Sequence, residues 1–243
     1  MIPSDHPRYR SLVVREHLAK CAQQGIVSWE GLAAHGRGEA FDYLLGERTT
    51  DSARIAERTA AAMLLSARHP VISINGNTAA LAAPEIAVLQ RACHALVEVN
   101  LFHRTEERVK HIEDLLRDAG VDVFSGKAER LLALSHDRAW CRREGMYTAD
   151  VVLVPLEDGD RCEALVAMGK KVIAIDLNPL SRTAKTATLT VVDELTRALP
   201  EIARACNELI KIEQEHLVTS LDNHYLLREA IREMTTRLCH AMD

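Results

Sequence analysis

The sequence lacks paired cysteines and the common phosphate-binding motifs. Its 243 residues include six cysteines, no two of them close together, and there is no C-x-x-C pair. Zinc sites and disulfide frameworks need tighter spacing, so we expect reduced thiols in or near the core. The G-x-G-x-x-G fingerprint and the P-loop G-x-x-x-x-G-K-[ST] are also missing. Neither ordinary dinucleotide binding nor Walker-type phosphate binding therefore has support in the sequence.

Long apolar runs and an excess of positive charge are absent as well. No stretch approaches the ~20 apolar residues of a membrane span. The first residues, 1–7, lack the apolar region of a secretion signal. The formal net charge of −5 argues against a general nucleic-acid or anionic-membrane binder. Any anionic ligand would therefore be held by a few placed arginines.

The apolar pattern of the chain changes near residue 70. Helical stretches at 11–20, 40–45 and 51–68 precede that point, with a glycine-rich break at 36–38 and Asp51 as the expected cap of the third helix. After it, short strand-like runs alternate with helical stretches, which is typical of βαβ units around a parallel sheet. The runs are 71–75, 96–100, 121–124, 151–155, 172–176 and 188–193.

We therefore predict one α/β domain with a Rossmann-like, mainly parallel sheet. Residues 70–200 form the nucleotide- and substrate-binding core, and 1–69 form a helical part packed on the sheet. Residues 201–243 are predicted to form two helices. The last carries an apolar stripe at helical spacing, formed by Leu227, Ala230, Ile231, Met234 and Leu238. The stripe either closes the core or pairs with another subunit.

Polar residues follow five of the predicted strands. The carboxyl ends of parallel strands meet at one edge of a sheet, where helix N-termini and unpaired backbone N–H groups collect. The five ends are 75–78, Asn100 with the nearby Arg104, 155–161, 176–183 and 193–194. Ordinary turns use asparagine, glycine and aspartate for backbone reasons alone. Five such turns at one edge, two of which contain an arginine (Arg161 and Arg182), favour a ligand site.

Two of these ends have a specific chemistry. Asp176 ends a strand and can accept hydrogen bonds from ribose hydroxyls, while Arg182 and Thr183 suit phosphate oxygens. The acidic turn 157–160 is either solvated or a site for Mg²⁺ or an amine, since clustered carboxylates suit both cations.

Arg37 is the sharpest local feature outside the predicted sheet. It lies between Gly36 and Gly38, just before a predicted helix. Flanking glycines would let the backbone approach a ligand while the guanidinium forks onto phosphate or carboxylate. The alternative is a capped loop with a surface arginine.

Six strings resemble the archaeal phosphopantothenate synthetases, also called 4-phosphopantoate–β-alanine ligases. They are IPSDHPRY at 2–9, AHGRGEAFDYLLGE at 34–47, INGN at 74–77, VNLF at 99–102, VPLEDGDR at 154–161 and IDLNPLSRT at 175–183. The likeness spans about residues 1 to 200. It implies a cytoplasmic homodimer of coenzyme A synthesis that uses ATP, (R)-4-phosphopantoate and β-alanine. From the net charge and the lack of long apolar runs, we expect it to bind neither nucleic acid nor membranes.

The resemblance also implies site residues and a mechanism. ATP contacts would come from Arg15, Arg37, Asp176, Leu177, Asn178, Arg182, Thr183, Glu194 and Leu195. The acid would attack the α-phosphorus to form an acyl adenylate, which the amine then attacks, with Arg37, Arg182 and Mg²⁺ offsetting charge. Our candidates for holding phosphopantoate or β-alanine are Asn75, Asn77, Asn100, Arg104, Asp158 and Asp160. No metal ligand from the protein is assigned.

Three other functions remain open at this point. A non-catalytic nucleotide or coenzyme A sensor could use the same scaffold, because fold alone does not fix function. A nicotinamide oxidoreductase is disfavoured by the missing glycine fingerprint. An ADP-forming amide ligase would differ only in which phosphorus is attacked.

Overall fold

The computed structural model describes residues 2–6, 8–156 and 158–242. The helices are α1 (Tyr9–Gln23), α2 (Trp29–Leu45), α3 (Asp51–Ser66), α4 (Gly76–Cys93), α5 (Glu106–Asp118), α6 (Gly159–Ala167), α7 (Arg182–Thr186), α8 (Leu195–Glu208), α9 (Lys211–Thr219) and α10 (Asn223–Cys239). The strands are β1 (Pro70–Ile74), β2 (Leu96–Val99), β3 (Glu129–Arg130), β4 (Trp140–Cys141), β5 (Val151–Pro155), β6 (Lys171–Ile175) and β7 (Leu189–Val191).

The predicted α/β fold with a mainly parallel sheet is confirmed. Five parallel strands lie in the order β2-β1-β5-β6-β7. The chain thus winds outward in both directions from β1 and β5, as in a doubly wound Rossmann-like sheet. The run at 121–124 does not become a strand of this sheet, because only Val123 pairs, in a single bridge to Val97. A small antiparallel pair, β3 with β4, was not predicted.

Both faces of the sheet are buried, which explains why its strands are continuously apolar. Ile72, Leu153 and Ile173 pack with α3, α4 and α8 on one face. Val152 and Val172 point the other way, toward α6 and the segment 132–149. Because side chains alternate across a strand, a sheet covered twice needs apolar residues at every position.

The helical N-terminal part differs from the prediction at two points. Thr50, not Asp51, caps α3, because its Oγ1 accepts the N–H of Ala53 at 3.2 Å. The predicted glycine-rich break at 36–38 lies inside α2, which runs unbroken to Leu45 and ends at Gly46 in the left-handed conformation (φ 86°). The expectation of a loop around Arg37 was therefore wrong, since tertiary packing outweighs the weak helix propensity of glycine.

Residues 201–243 were predicted to form two helices, and they contain the end of α8 as well as two further helices, α9 and α10. On α10, Leu227, Ala230 and Met234 are buried against Leu45 and Leu177 of the same chain. Most of the apolar stripe thus closes the core. No helix in residues 2–6, 8–156 and 158–242 is long and apolar enough to cross a membrane.

Candidate functional site

The carboxyl ends of β1 and β5 meet where the strand order reverses, the usual ligand site of a doubly wound sheet. Asn75 ties the two ends together. Its Nδ2 donates to the carbonyl oxygens of Pro155 (3.2 Å) and Leu156 (2.9 Å), and its Oδ1 accepts from the N–H (2.9 Å) and hydroxyl (3.0 Å) of Thr78. Asn75 therefore builds the site by capping α4 and joining two strands.

A cavity of about 330 Å³ opens at this point, and we call it the edge cavity. The sheet edge supplies Asn75, Gly76, Asn77, Leu156, Asp158, Leu177, Asp193, Glu194 and Leu195; α2 supplies Gly31, Ala34, His35, Gly38, Glu39 and Asp42; further walls include Phe102, His103, Arg108 and Arg138. The cavity reaches the predicted nucleotide end of the sheet at Leu177, Glu194 and Leu195, and the predicted substrate end at Asn75, Asn77 and Asp158. The other predicted ATP contacts are not part of its lining: Arg15, Arg37, Asp176, Asn178, Arg182 and Thr183.

The glycines of α2 allow that helix to lie close to the sheet edge. Asn77 donates from Nδ2 to the carbonyl of Gly31 at 2.7 Å, and a Cβ on Gly31 would collide with the Asn77 side chain. Gly38 packs on Leu177, where a Cβ would stand 3.6 Å from Cδ1. The glycines that suggested a loop in the sequence therefore allow α2 to pack closely against the sheet edge.

The loop after β6 is held rigidly by its own side chains. Asp176 accepts the Ser181 hydroxyl on Oδ2 at 2.5 Å and the Asn178 N–H on Oδ1 at 2.9 Å, and Asn178 Oδ1 accepts the Leu180 N–H at 2.9 Å. Burial raises the pKa of Asp176, against the Ser181 hydrogen bond and the positive charge of Arg37. Arg37 on α2 is therefore a cation that acts on the Asp176 carboxylate in the loop after β6.

Arg37 belongs to α2, and Arg182 follows that loop as the first residue of α7. The Arg37 side chain is exposed, and no hydrogen bond or ion pair is recorded for it within the described residues. Arg182 begins α7 with 61% of its side chain exposed and lies 3.3 Å from Glu163. Its neighbour Thr183 is buried. Both guanidinium groups are therefore accessible to an anionic ligand.

Arg15 reaches the site through Glu39. Its Nε and Nη2 lie 2.9 and 2.8 Å from Glu39 Oε2, while Ser11 donates to Oε1 at 2.7 Å. Burial acts to raise the pKa of Glu39, but these hydrogen bonds outweigh it and lower the pKa. Glu39 lines the edge cavity, whereas Arg15 stands behind it.

Glu194 and Leu195 close the β7 end of the edge cavity. Glu194 caps α8, accepting the Thr196 N–H at 2.8 Å and hydroxyl at 2.5 Å. Burial raises the pKa of Glu194, with the Thr196 hydrogen bonds opposing it. Leu195 is buried, so it offers backbone and shape.

The predicted substrate residues are only partly brought together. Asn75, Asn77 and Asp158 line the edge cavity. Asn100 is completely buried, with its Nδ2 donating to the carbonyl of Trp140 at 2.8 Å. Arg104 lies on a second, polar cavity of about 620 Å³ and pairs with Glu106 at 3.2 Å.

The acidic turn after β5 is engaged with an arginine and a histidine of the protein. Asp158 accepts from Arg138 Nε at 2.9 Å, and Asp160 hydrogen-bonds His136 Nε2 at 2.6 Å. Glu157 lies outside the described residues. Within those residues, no group of three or more metal-ligating side chains is present.

Sequence reasoning missed several residues of the cavity wall, among them His35, Asp42, Arg108 and Arg138. Burial chiefly lowers the pKa of His35, and its Nε2 has no hydrogen-bond partner in the described structure. A neutral imidazole here can accept a proton from an amine in the cavity. The only sequence signal for His35 was its place beside Arg37. No sequence signal pointed to Arg138, because the residues that it contacts are distant in the sequence.

A buried charge network fastens α2 to the end of β7. Arg197 reaches Asp42 Oδ1 and Oδ2 at 2.6 and 3.1 Å, and its Nη2 and Nε reach Asp193 Oδ1 at 2.6 and 3.0 Å. The Thr49 hydroxyl donates to the other oxygen of Asp193 at 2.6 Å. One arginine thus bridges two carboxylates that line the edge cavity.

A third carboxyl, Glu57, lies against this network and cannot ionise easily. Burial, then the charge of Asp193, raises its pKa from 4.5 to about 9. The folded protein therefore binds a proton on Glu57 between these two pH values that the unfolded chain releases. Its contribution to stability is complete below pH 4.5 and is lost as pH rises toward about 9.

We expect Glu57→Gln to flatten this pH dependence. The melting temperature of the unmodified protein should fall from pH 6 to pH 9, and the variant, neutral throughout, should lose less over the same range. Differential scanning calorimetry at several pH values measures both slopes. Equal slopes would show that Glu57 does not hold the proton.

The comparisons with known proteins agree in pointing to one family. The family model described as phosphopantothenate/pantothenate synthetase matches residues 52–237. A 4-phosphopantoate–β-alanine ligase of Methanospirillum hungatei is 60% identical over 243 residues, covering 100% of both chains. Those of Methanosarcina mazei and Thermococcus kodakarensis are 56% and 48% identical, covering 98% of this chain and 95% and 94% of their own. The similarity therefore includes the C-terminal helices, beyond residue 200.

Proposed function

The chain belongs to the phosphopantothenate/pantothenate synthetase family, and we propose on that premise that it is a 4-phosphopantoate–β-alanine ligase of coenzyme A biosynthesis. It condenses (R)-4-phosphopantoate with β-alanine and converts ATP to AMP and pyrophosphate, in the cytoplasm. The observation that carries the proposal is the edge cavity. This cavity connects the carboxyl ends of β6 and β7, which suit a nucleotide, with a wall that carries Arg108 and Arg138.

The chemistry requires activation of a carboxylate. A carboxylate oxygen of the acid attacks the α-phosphorus of ATP, the bond to the β-phosphate oxygen breaks, and pyrophosphate leaves. The uncharged amine of β-alanine then attacks the acyl carbon, AMP departs with the former carboxylate oxygen, and the amine loses a proton. Both steps gain from holding the reactants together, an effect worth up to ~7–11 kcal/mol in ideal cases.

The residues near Asp176 suit the nucleotide. We propose that Asp176 accepts the ribose hydroxyls, that the 177–178 backbone contacts the nucleoside, and that Arg37, Arg182 and Thr183 offset the phosphate charge. Glu194, Leu195 and Arg15 complete this end of the site. Arg15 acts through Glu39, which it already holds.

Magnesium fits this site as a companion of the nucleotide. Mg²⁺ commonly takes one or two protein carboxylates and completes its shell with substrate phosphates and water. Asp158 reaches the edge cavity at the end of β5 and can supply such a carboxylate. When bound, Mg²⁺ would neutralise charge on the phosphates.

Exchange of pyrophosphate tests the proposed order of steps. With ATP, Mg²⁺ and phosphopantoate but no β-alanine, labelled pyrophosphate should enter ATP. Arg182→Met should reduce the exchange, whereas Lys185→Met, exposed on the same helix, should not.

In the full reaction, carboxyl-¹⁸O phosphopantoate should pass one label to AMP. Formation of ADP with label in orthophosphate would instead assign an acyl-phosphate mechanism, and no turnover at all would contradict the ligase.

We also propose a homodimer, because the resemblance to the family implies one. Light scattering at micromolar concentration should give about twice the 27.0 kDa chain mass. Since α10 buries most of its apolar stripe within the chain, Leu238→Ser should leave the dimer intact. A monomer mass for the unmodified protein would contradict the proposal.

A further inference from the structure

Two arginines face the edge cavity at the end far from Asp176, one on α5 and one in the turn 137–139. Arg108 donates from Nε and Nη2 to the carbonyl of Ile26, at 3.3 and 3.2 Å, and from Nη1 to that of His103, at 2.8 Å. Within the described residues, no carboxylate lies within ion-pair distance of Arg108. Its charge is therefore fixed in position by neutral acceptors.

Arg138 is buried, and it is held equally firmly. Its Nη1 donates to the carbonyl of Asn100 at 3.0 Å and its Nε to Asp158 at 2.9 Å. Asn100 thus positions this guanidinium from behind. Burial, followed by the charge of Arg138, lowers the pKa of Arg108, with Glu30 opposing it. The two cations are therefore close enough to repel, and an anion between them would relieve that repulsion.

The first turn of α4 borders the same space. A Cβ on Gly76 would stand 3.0 Å from Arg108 Nη2 and would collide with the Ile26 carbonyl. The guanidinium therefore lies against the backbone of the first turn of α4, a short helical stretch that is interrupted at Ala82 (φ -145°, ψ 29°). Two guanidinium groups held in position at one end of a cavity are a combination suited to a phosphate monoester.

We infer that Arg108 and Arg138, beside the first turn of α4, bind the phosphate of the phosphorylated acid substrate. This inference rests on the proposed function and assigns the β1 end of the edge cavity to that substrate. It replaces Arg104, whose side chain belongs to the second cavity. The subsite makes the enzyme select the phosphorylated acid over its unphosphorylated form.

Arg108→Met removes the charge that lacks an acidic partner among the described residues. The KM for phosphopantoate should rise about 30-fold or more, the usual effect of losing a buried charge-assisted contact. The KM values for ATP and β-alanine should stay unchanged. Any activity with unphosphorylated pantoate should be equally unaffected, because that acid places no phosphate between the arginines. Arg108→Lys should restore part of the affinity, and Arg117→Met, which changes an exposed arginine of the same helix, is the matched control expected to behave like the unmodified protein.

Three outcomes would overturn the inference. These are an unchanged KM for phosphopantoate, an equal loss with pantoate, or a rise in the KM for ATP, which would assign Arg108 to the triphosphate. Thermal melts identify a variant that fails to fold. If Arg108→Met does not fold, Arg108→Lys, which keeps the positive charge, is used to compare the KM for phosphopantoate with that for pantoate.

Direct binding separates this inference from the proposed function. In calorimetry, phosphopantoate and inorganic phosphate should bind the unmodified protein and bind Arg108→Met far more weakly, whether or not turnover is seen. An unmodified protein that binds phosphopantoate without turnover would contradict the ligase activity but keep the subsite. Equal binding of phosphopantoate by both proteins would overturn the subsite while the ligase stands.

Discussion

Arg37→Ala is expected to lower kcat/KM for ATP at least ~100-fold while the fold is retained. The side chain is exposed and makes no recorded contact within the described residues, so its removal leaves no unpaired group behind. Its charge acts across the cavity edge on Asp176, beside the proposed phosphate contacts. Losing one charge-stabilising donor in a transition state costs about 2.7–4 kcal/mol in comparable cases.

Two further variants make the Arg37 experiment specific. Arg37→Lys should rescue poorly, because an ammonium group lacks the planar fork of a guanidinium. Arg204→Ala is the matched control, since Arg204 is also an exposed helical arginine but pairs with Glu201 and Glu208 of its own helix. Steady-state kinetics and a thermal melt measure all three. Turnover near that of the unmodified enzyme in Arg37→Ala would show that Arg37 serves no catalytic purpose.

The sheet could be predicted from sequence because its burial repeats along the chain. Apolar runs such as 151–155 and 172–176 became β5 and β6 almost residue for residue. The error at 36–38 has a physical reason. Glycine is common both in loops and where a helix packs closely against another element. The contacts of Gly31 and Gly38 in the structure show that the second explanation applies to α2.

The site could be predicted only where its residues are close together in sequence. The loop from Asp176 to Thr183 carries its own hydrogen bonds, so its pattern is visible locally. Arg197 and Asp42 are 155 positions apart, and nothing near either residue marks the pair. Arg108 likewise lies in an ordinary amphipathic helix, and only the fold places its guanidinium beside Gly76.

The Arg197 network should dominate the stability of the site. Asp193 is almost fully buried, and Asp42 and Arg197 are largely so, with 0%, 13% and 27% of their side chains exposed. Removing one member of a buried ion pair leaves an uncompensated charge, which costs about 3–5 kcal/mol. The partial exposure of Arg197 places the expected loss near about 3 kcal/mol, because solvent can reach part of the site.

Arg197→Met should therefore lower the urea midpoint without changing the m-value, because the same surface is exposed on unfolding. Asp42→Asn should cost less, since Arg197 keeps Asp193. The double variant should differ from the sum of the single changes by about 0.5–3 kcal/mol, as expected for residues in contact. Arg204→Met, on the exposed face of α8, should leave the midpoint unchanged. Because the same guanidinium holds α2 over the cavity, Arg197→Met should also raise the KM for ATP in protein that is still folded. A midpoint shift as small as that of Arg204→Met, or additive single and double changes, would show that α2 is held by packing alone.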